Sequence, residues 1–245
     1  MKTTGNTILI TGGSAGIGLE MARQFVERGN KVIITGRNEE RLRKAAGQLG
    51  DVTYIAFDVT NEQDVEALVK KVVNEFPALN ILINNAGQAF AYKLSGEAGT
   101  YQKASEEIIT NYLSVIRLTE KLLPLLKAQE ESAVLNVSSV VAFVPAYNIS
   151  TYSASKAALH SYTQSLRNAL SATSVKVFEL MPPLVNTEFS KDIGGENGIA
   201  PSVVAEDVLD AIANDRLEIH PGQTAYMYGL SLADPTGALA AMNAR

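Results

Sequence analysis

Two rhythms of apolar and polar positions alternate along the 245-residue chain. Nearly unbroken apolar runs at 7–11, 31–35, 52–57, 79–83, 133–137 and 175–181 have the length of strands and leave no polar face, which predicts strands covered on both sides. Between them the period changes to that of a helix. Leu19, Met21, Ala22, Phe25 and Val26 recur at helical spacing up to Gly29, and segments 39–49, 61–76, 101–129, 151–171 and 202–213 predict further helices. Asn61 is a suitable N-cap for its helix, and Pro124 predicts a distortion in the longest one. A short strand at 217–220 closes the series, and apolar residues from 226 to 242 predict a C-terminal helix packed on the domain or on another subunit. Alternating strands and helices require right-handed crossovers, so the fold class is α/β: a doubly wound parallel sheet of about seven strands with helices on both faces.

Composition narrows what this sheet can serve. A hydrophobic content of 46% with 19% charged residues supplies a large core, and the absence of repeats or low-complexity linkers makes residues 1–245 one domain. A net charge of −5 without a Lys/Arg run argues against nucleic acid and anionic membranes as partners. There is no cysteine, which removes disulfides, thiolate nucleophiles and Cys-based metal sites. His160 and His220 sit in no ligand-like cluster, so no metal is expected. The N-terminal apolar segment is too short for a signal-peptide core, and the expected location is cytoplasmic.

Three stretches carry chemistry. The first apolar run leads into Gly12-Gly13-Ser14-Ala15-Gly16-Ile17-Gly18 and then a helix. A glycine turn between a buried strand and a helix N-terminus suits a pyrophosphate, which needs close backbone approach, free N–H donors and a favourable dipole. At the end of the second strand stand Gly36-Arg37-Asn38, with no carboxylate before Glu39. A guanidinium there favours a ribose 2′-phosphate and hence NADP(H) over NAD(H), unless Arg37 only solvates the next helix. In Tyr152-Ser153-Ala154-Ser155-Lys156 a phenol and an ammonium lie four residues apart, about one helical turn on one face. A nearby cation lowers a phenol's pKa and makes it a usable general acid or base; the competing reading is a half-exposed Tyr beside a surface Lys.

The turn T-G-x-x-x-G-x-G at 11–18, the element Asn84-Asn85-Ala86-Gly87, Ser139 thirteen positions before Tyr152, and the Y-x-x-x-K pair agree in order and spacing. Together they resemble the short-chain dehydrogenase/reductase family over residues 7–220, and Met181-Pro182-Pro183-Leu184-Val185-Asn186-Thr187 is similar to its DltE-like subgroup. The resemblance implies a Rossmann fold with Ser139, Tyr152, Lys156 and Asn111 as the catalytic set. Ser139 would steady the substrate oxygen, Tyr152 transfer the proton, Lys156 lower its pKa and hold the nicotinamide ribose, and Asn111 kink its helix and hold a relay water. The same resemblance implies cofactor contacts from Gly12, Ser14, Ala15, Gly16, Ile17, Gly18, Asn38, Asp58, Val59, Asn85, Ala86, Gly87, Pro182, Val185 and Thr187, with Asp58 at the adenine. Asp58 could equally stand on the cap side of the next helix. Pro183 departs from the family's P-G-x-V-x-T by replacing its glycine.

The expected reaction is reversible NADP(H)-dependent reduction of a ketone or aldehyde, with NAD(H) the lesser cofactor. Phe90, Tyr92, Val141, Phe143, Pro183 and Leu184 are the expected pocket walls and imply a small neutral or apolar carbonyl or alcohol substrate. The glycine-containing segment 183–200 is expected to act as a mobile lid. Two long helices with apolar residues on more than one face predict a homodimer or homotetramer. The alternatives are an NADP(H)-binding regulator without catalysis and a 3-oxoacyl-carrier ketoreductase.

Overall fold

The computed structural model describes residues 1–95 and 99–244. Its centre is a seven-stranded sheet in the order β3-β2-β1-β4-β5-β6-β7, in which every neighbouring pair is parallel. The strands are β1 (Thr7–Thr11), β2 (Lys31–Gly36), β3 (Val52–Ala56), β4 (Leu79–Asn84), β5 (Ser132–Val137), β6 (Val175–Leu180) and β7 (Glu218–Ile219). Strand order reverses between β1 and β4, and in such sheets the crevice at the carboxyl ends beside the reversal is where ligands bind.

The helices are α1 (Gly16–Glu27), α2 (Glu39–Leu49), α3 (Glu62–Glu75), α4 (Thr100–Ile108), α5 (Ser114–Lys127), α6 (Ser150–Ala169), α7 (Pro201–Ala213), α8 (Thr224–Ala233) and α9 (Pro235–Met242). Successive strand residues point to opposite faces, so Ile8 and Ile10 pack with Met21, Phe25, Val208 and Ile212, while Leu9 packs with Leu68, Val72, Leu118 and Leu122 on the other side. These side chains are fully or almost fully buried, and each such burial stabilises the fold by roughly 1.5–3 kcal/mol. That is why the apolar runs hold their places as strands.

The helix expected at 101–129 is interrupted, though not at Pro124. A π-helical turn at Ile109–Leu113 separates α4 from α5, whereas Pro124 lies inside α5. The hydrogen bond Pro124 cannot make would have gone to the carbonyl of Glu120, an exposed residue. The expected single C-terminal helix is two: Asp234 ends α8, and its carboxylate then caps α9 by accepting from Gly237 N at 2.9 Å, with Pro235 at the first helical position. The segment expected as a mobile lid is folded into two 3₁₀ turns, Glu188–Ile193 and Gly195–Asn197. Its base is pinned by Asn186 N to Ile199 O and Ile199 N to Leu184 O, at 2.8 and 3.0 Å. Among the described residues no helix is long and apolar enough to cross a membrane.

Candidate active site

The glycine turn and the β4 end are built as one unit. Thr11 Oγ1 accepts from Asn85 N and Ala86 N at 2.9 and 3.0 Å, and Asn85 Nδ2 donates to the carbonyls of Thr11 and Gly12 at 2.9 and 3.1 Å. Gly12 has φ +67°, and a Cβ on Gly18 would fall 2.4 Å from Gly12 O, so neither position accepts an ordinary side chain. Ala15 precedes α1 in extended conformation and caps no N–H with its side chain. The first-turn donors of α1 therefore face the groove above the sheet, a ready site for phosphate oxygens.

At the ends of β2 and β3 lies a cavity of about 220 Å³, into which Ser14, Arg37, Asn38, Asp58 and Val59 all face, as expected. Two of these polar groups are already committed in part: Asn38 Oδ1 caps α2 by accepting from Arg41 N at 2.9 Å, and Asp58 Oδ1 accepts from Thr60 N and Thr60 Oγ1 at 2.8 Å. Asn61, not Asp58, caps α3. Arg41, Thr60 and Thr110 also line this cavity and were not anticipated. Arg41 Nη2 meets Glu188 Oε2 at 2.6 Å, linking α2 to the 3₁₀ segment across the groove; both side chains are largely exposed, so the pair contributes little stability.

A larger cleft of about 650 Å³ continues from the glycine turn past Ser139, Tyr152 and Lys156. Gly16, Ile17, Asn85, Ala86, Gly87, Pro182, Val185 and Thr187 line it too, so the expected site residues other than Gly18 and Asn111 line one or both of these two joined cavities. Tyr152 and Lys156 share one face of α6, with Lys156 Nζ 5.6 Å from the Tyr152 ring centroid and anchored by donation to Val137 O at 2.7 Å. Ser139 follows β5, accepts from Val141 N at 3.3 Å and donates to Pro182 O at 3.5 Å, and its hydroxyl acts on the Tyr152 phenol. Asn111 lies beneath, wholly buried in the π turn. Its Oδ1 accepts from Gln88 N at 2.8 Å, and its Nδ2 donates to Gln88 O and Ser155 Oγ at 2.8 and 2.9 Å. Under the same floor, Asn84 Nδ2 donates to Asn136 Oδ1 and Thr119 Oγ1, and Asn136 Nδ2 to Thr163 Oγ1, at 2.9 to 3.1 Å. This network ties β4, β5, α5 and α6 together, so the strand ends and the Tyr-Lys helix cannot shift independently.

The electrostatics differ from the simple expectation of a phenol lowered by its lysine. Burial pushes the Tyr152 phenol upward, the Ser139 hydroxyl opposes this, and the Glu107 carboxylate raises it further. Burial also lowers Lys156 to about 8, against the raising influence of Glu179. In this state the buried Tyr152 holds its proton firmly, the condition of a general acid.

The expected pocket walls are only half right. Val141, Pro183 and Leu184 line the cleft, joined by Ile149, Phe189 and Met242. Phe90, Tyr92 and Phe143 do not. Phe90 N is tied to Glu107 Oε1 at 2.8 Å, Tyr92 is buried with its hydroxyl 2.6 Å from Thr151 Oγ1, and Phe143 stacks edge-on against His160 and His220. Met242 arrives because Asn243 fastens the end of α9: its Oδ1 accepts from Tyr147 N at 2.8 Å and its Nδ2 donates to Pro145 O at 3.0 Å.

Comparison with known proteins gives the family of the chain. The family profile described as short chain dehydrogenase matches residues 6–198. The chain is 40% identical over 226 residues to the uncharacterized oxidoreductase DltE of Bacillus subtilis, covering 89% of each. It is 36% identical over 220 residues to a serine 3-dehydrogenase of Agrobacterium fabrum, covering 84% of this chain and 86% of that one. The fold superposes with TM-score 0.87, at 28% identity and full coverage of both chains, on a short chain dehydrogenase of Burkholderia cenocepacia solved in complex with NADP. With its parallel seven-stranded sheet, its glycine turn and the Ser-Tyr-Lys cluster at one cleft, the chain belongs to the short-chain dehydrogenase/reductase family of oxidoreductases and is similar to DltE.

Proposed function

We propose that the protein reversibly reduces a small neutral or apolar ketone or aldehyde to the alcohol with NADP(H) as the preferred cofactor. The observation that carries this reading is the convergence of Ser139, Tyr152 and Lys156 in one cleft that Val141, Ile149, Pro183, Leu184, Phe189 and Met242 also line. The groove fits a dinucleotide: the uncapped α1 N-terminus and side-chain-free Gly12 and Gly18 suit a pyrophosphate, and Arg37 and Arg41 suit a 2′-phosphate. Asp58 and Val59 would flank the adenine, and Asn85, Ala86, Gly87, Pro182, Val185 and Thr187 the nicotinamide end. When bound, the nicotinamide supplies the hydride.

The chain's own groups do the rest. Ser139 hydrogen-bonds the carbonyl oxygen and stabilises charge developing there. Tyr152, kept neutral by burial, gives that oxygen its proton. Lys156 holds the ribose and, as a cation, supports the phenolate left behind. Asn111 fixes the Gln88 backbone and Ser155, and so supports the floor on which a proton relay would run. Reduction consumes a proton, so the carbonyl-reducing direction is favoured at lower pH. The ammonium of Lys156 is lost as pH rises through about 8, which should bring an alkaline decline in both cofactor binding and turnover.

The test is a panel of aliphatic and aromatic ketones and aldehydes, di- and tricarboxylate carbonyl compounds and L-serine, followed by NADPH absorbance in each direction. Reduction of uncharged apolar carbonyls is the expected result. Preference for a dicarboxylate or for serine would contradict the apolar wall, and tight NADPH binding without turnover of any compound would favour the regulator. An acyl-carrier ketoreductase would dock an acidic partner, for which a chain of net charge −5 offers little attraction.

Assembly is a separate expectation. Ile109 and Leu113 of the π turn are exposed, as is Tyr101 on α4, and beside them Tyr112 and Tyr162 pack edge to face. Burying this surface against a second copy gives a two-fold dimer or a tetramer. Light scattering at micromolar concentration should read a mass at least twice that of one chain; a single-chain mass would exclude the assembly.

A further inference from the structure

One buried charge beside the cleft has no part in the reaction proposed above. Glu179 lies in β6, is fully buried, and sits among the apolar residues Val177, Phe178 and Leu180. Buried carboxylates are rare unless paired or hydrogen-bonded. Here Glu179 Oε1 accepts from Ser138 Oγ at 2.5 Å, and both carboxylate oxygens lie 3.0 Å from His160 Nδ1. Ser138 is the residue before Ser139, and His160 follows Lys156 by one turn on the same face of α6. The carboxylate thus touches the two elements that deliver Ser139 and Lys156 to the cleft.

We infer that Glu179 is a positioning residue: fastened by Ser138 and His160, it fixes the β5 end against α6 and sets a negative charge beside the turn of α6 that carries Lys156. This rests on the cofactor-binding role proposed for Lys156. The charged and titratable surroundings support it. On α6, His160 bonds the carboxylate, Lys156 stands one turn before His160, and the negative charge acts on both to raise them. Arg167 is occupied by Glu218 of β7 at 3.0 Å, and Arg216 by Asp210 at 2.8 Å, so neither pairs with Glu179. His220, stacked with Phe143 and Tyr228, is lowered by burial. The Glu179 carboxylate is the group that opposes the burial of Lys156.

Glu179→Gln keeps the size and one acceptor oxygen for Ser138 and His160 and removes the charge. Lys156 should then lose its proton at lower pH, and the alkaline rise in the NADPH dissociation constant, read by cofactor fluorescence without turnover, should move down by roughly half a pH unit or more. His160→Asn leaves a neutral donor at the place of Nδ1 and leaves the carboxylate charged, so its profile should stay with the wild type. If Glu179→Gln does not fold, the double variant Glu179→Ala with His160→Leu, which exchanges the polar pair for an apolar contact, should show the same downward move. A wild-type limb that removing the Glu179 charge leaves in place would overturn the inference while leaving the proposed reaction standing. A flat wild-type profile would overturn both this inference and the Lys156 contact. A shifted limb in a protein inactive towards every carbonyl would uphold it and sink the reaction instead.

Discussion

Tyr152→Phe is expected to lower kcat by roughly 10²- to 10⁴-fold, the span of a lost general acid, while NADPH affinity stays close to wild type. The ring remains in its apolar surroundings, packed with Val140, Val141 and Ile149 and 6.0 Å from Phe189, so the fold and the cofactor groove lose only a hydroxyl. What disappears is the proton that burial holds on the phenol. Lys156→Met should behave differently, losing turnover and NADPH affinity together, because the ammonium serves both. Steady-state kinetics with parallel cofactor titration separates the two. Activity of the Phe variant within tenfold of wild type would remove Tyr152 from the role of acid.

The second large effect concerns the cofactor. Arg37→Ala should weaken NADPH by roughly ten- to a hundredfold and leave NADH nearly unchanged, the equivalent of one charge-assisted hydrogen bond of ~1.5–3 kcal/mol. Arg41 lines the same cavity and can share the load. Gly36→Asp should invert the preference, since a carboxylate would repel a 2′-phosphate and accept from a ribose hydroxyl. The site has room for it: a Cβ on Gly36 would meet nothing closer than Ser14 Oγ at 3.6 Å. The ratio of kcat/KM for NADPH and NADH in wild type and both variants decides, and a wild type that prefers NADH would mean that Arg37 does not meet the phosphate.

What could be read from the sequence was what is local or periodic. Unbroken apolar runs of strand length mark the sheet because both faces are covered, and the Tyr-Lys spacing marks one helix face because four residues make about one turn. The π turn was foreshadowed only by Asn111, since its cause is a tertiary one: that side chain turns inward to bond Gln88 and Ser155. Pro124 misled because a helix can carry a missing donor on its exposed side, here opposite the exposed Glu120. Phe90, Tyr92 and Phe143 misled because hydrophobicity says that a ring will be covered, not by what. Met242 could not have been found from its neighbours in sequence, for it depends on Asn243 reaching a loop 96 residues away. Arg41 was within reach, lying four residues after Arg37, though its capture by Glu188 was not. Glu179 stood visible as a lone acid in an apolar strand, and its partners came only with the fold.

The adjacency of β1 and β4 also governs how the chain is born. β1 pairs with β2 on one side within a few tens of residues, but its other edge waits for Leu79–Asn84. At ribosomal rates of about 5–20 residues per second, that edge stays open for roughly four to fifteen seconds. During this interval a strand with Ile8-Leu9-Ile10 at its middle presents unpaired backbone donors and acceptors along one side. The seam on which the nucleotide would later rest is thus, of the edges that finally pair, the one that waits longest for its partner in the nascent chain, and its closure is a non-local event.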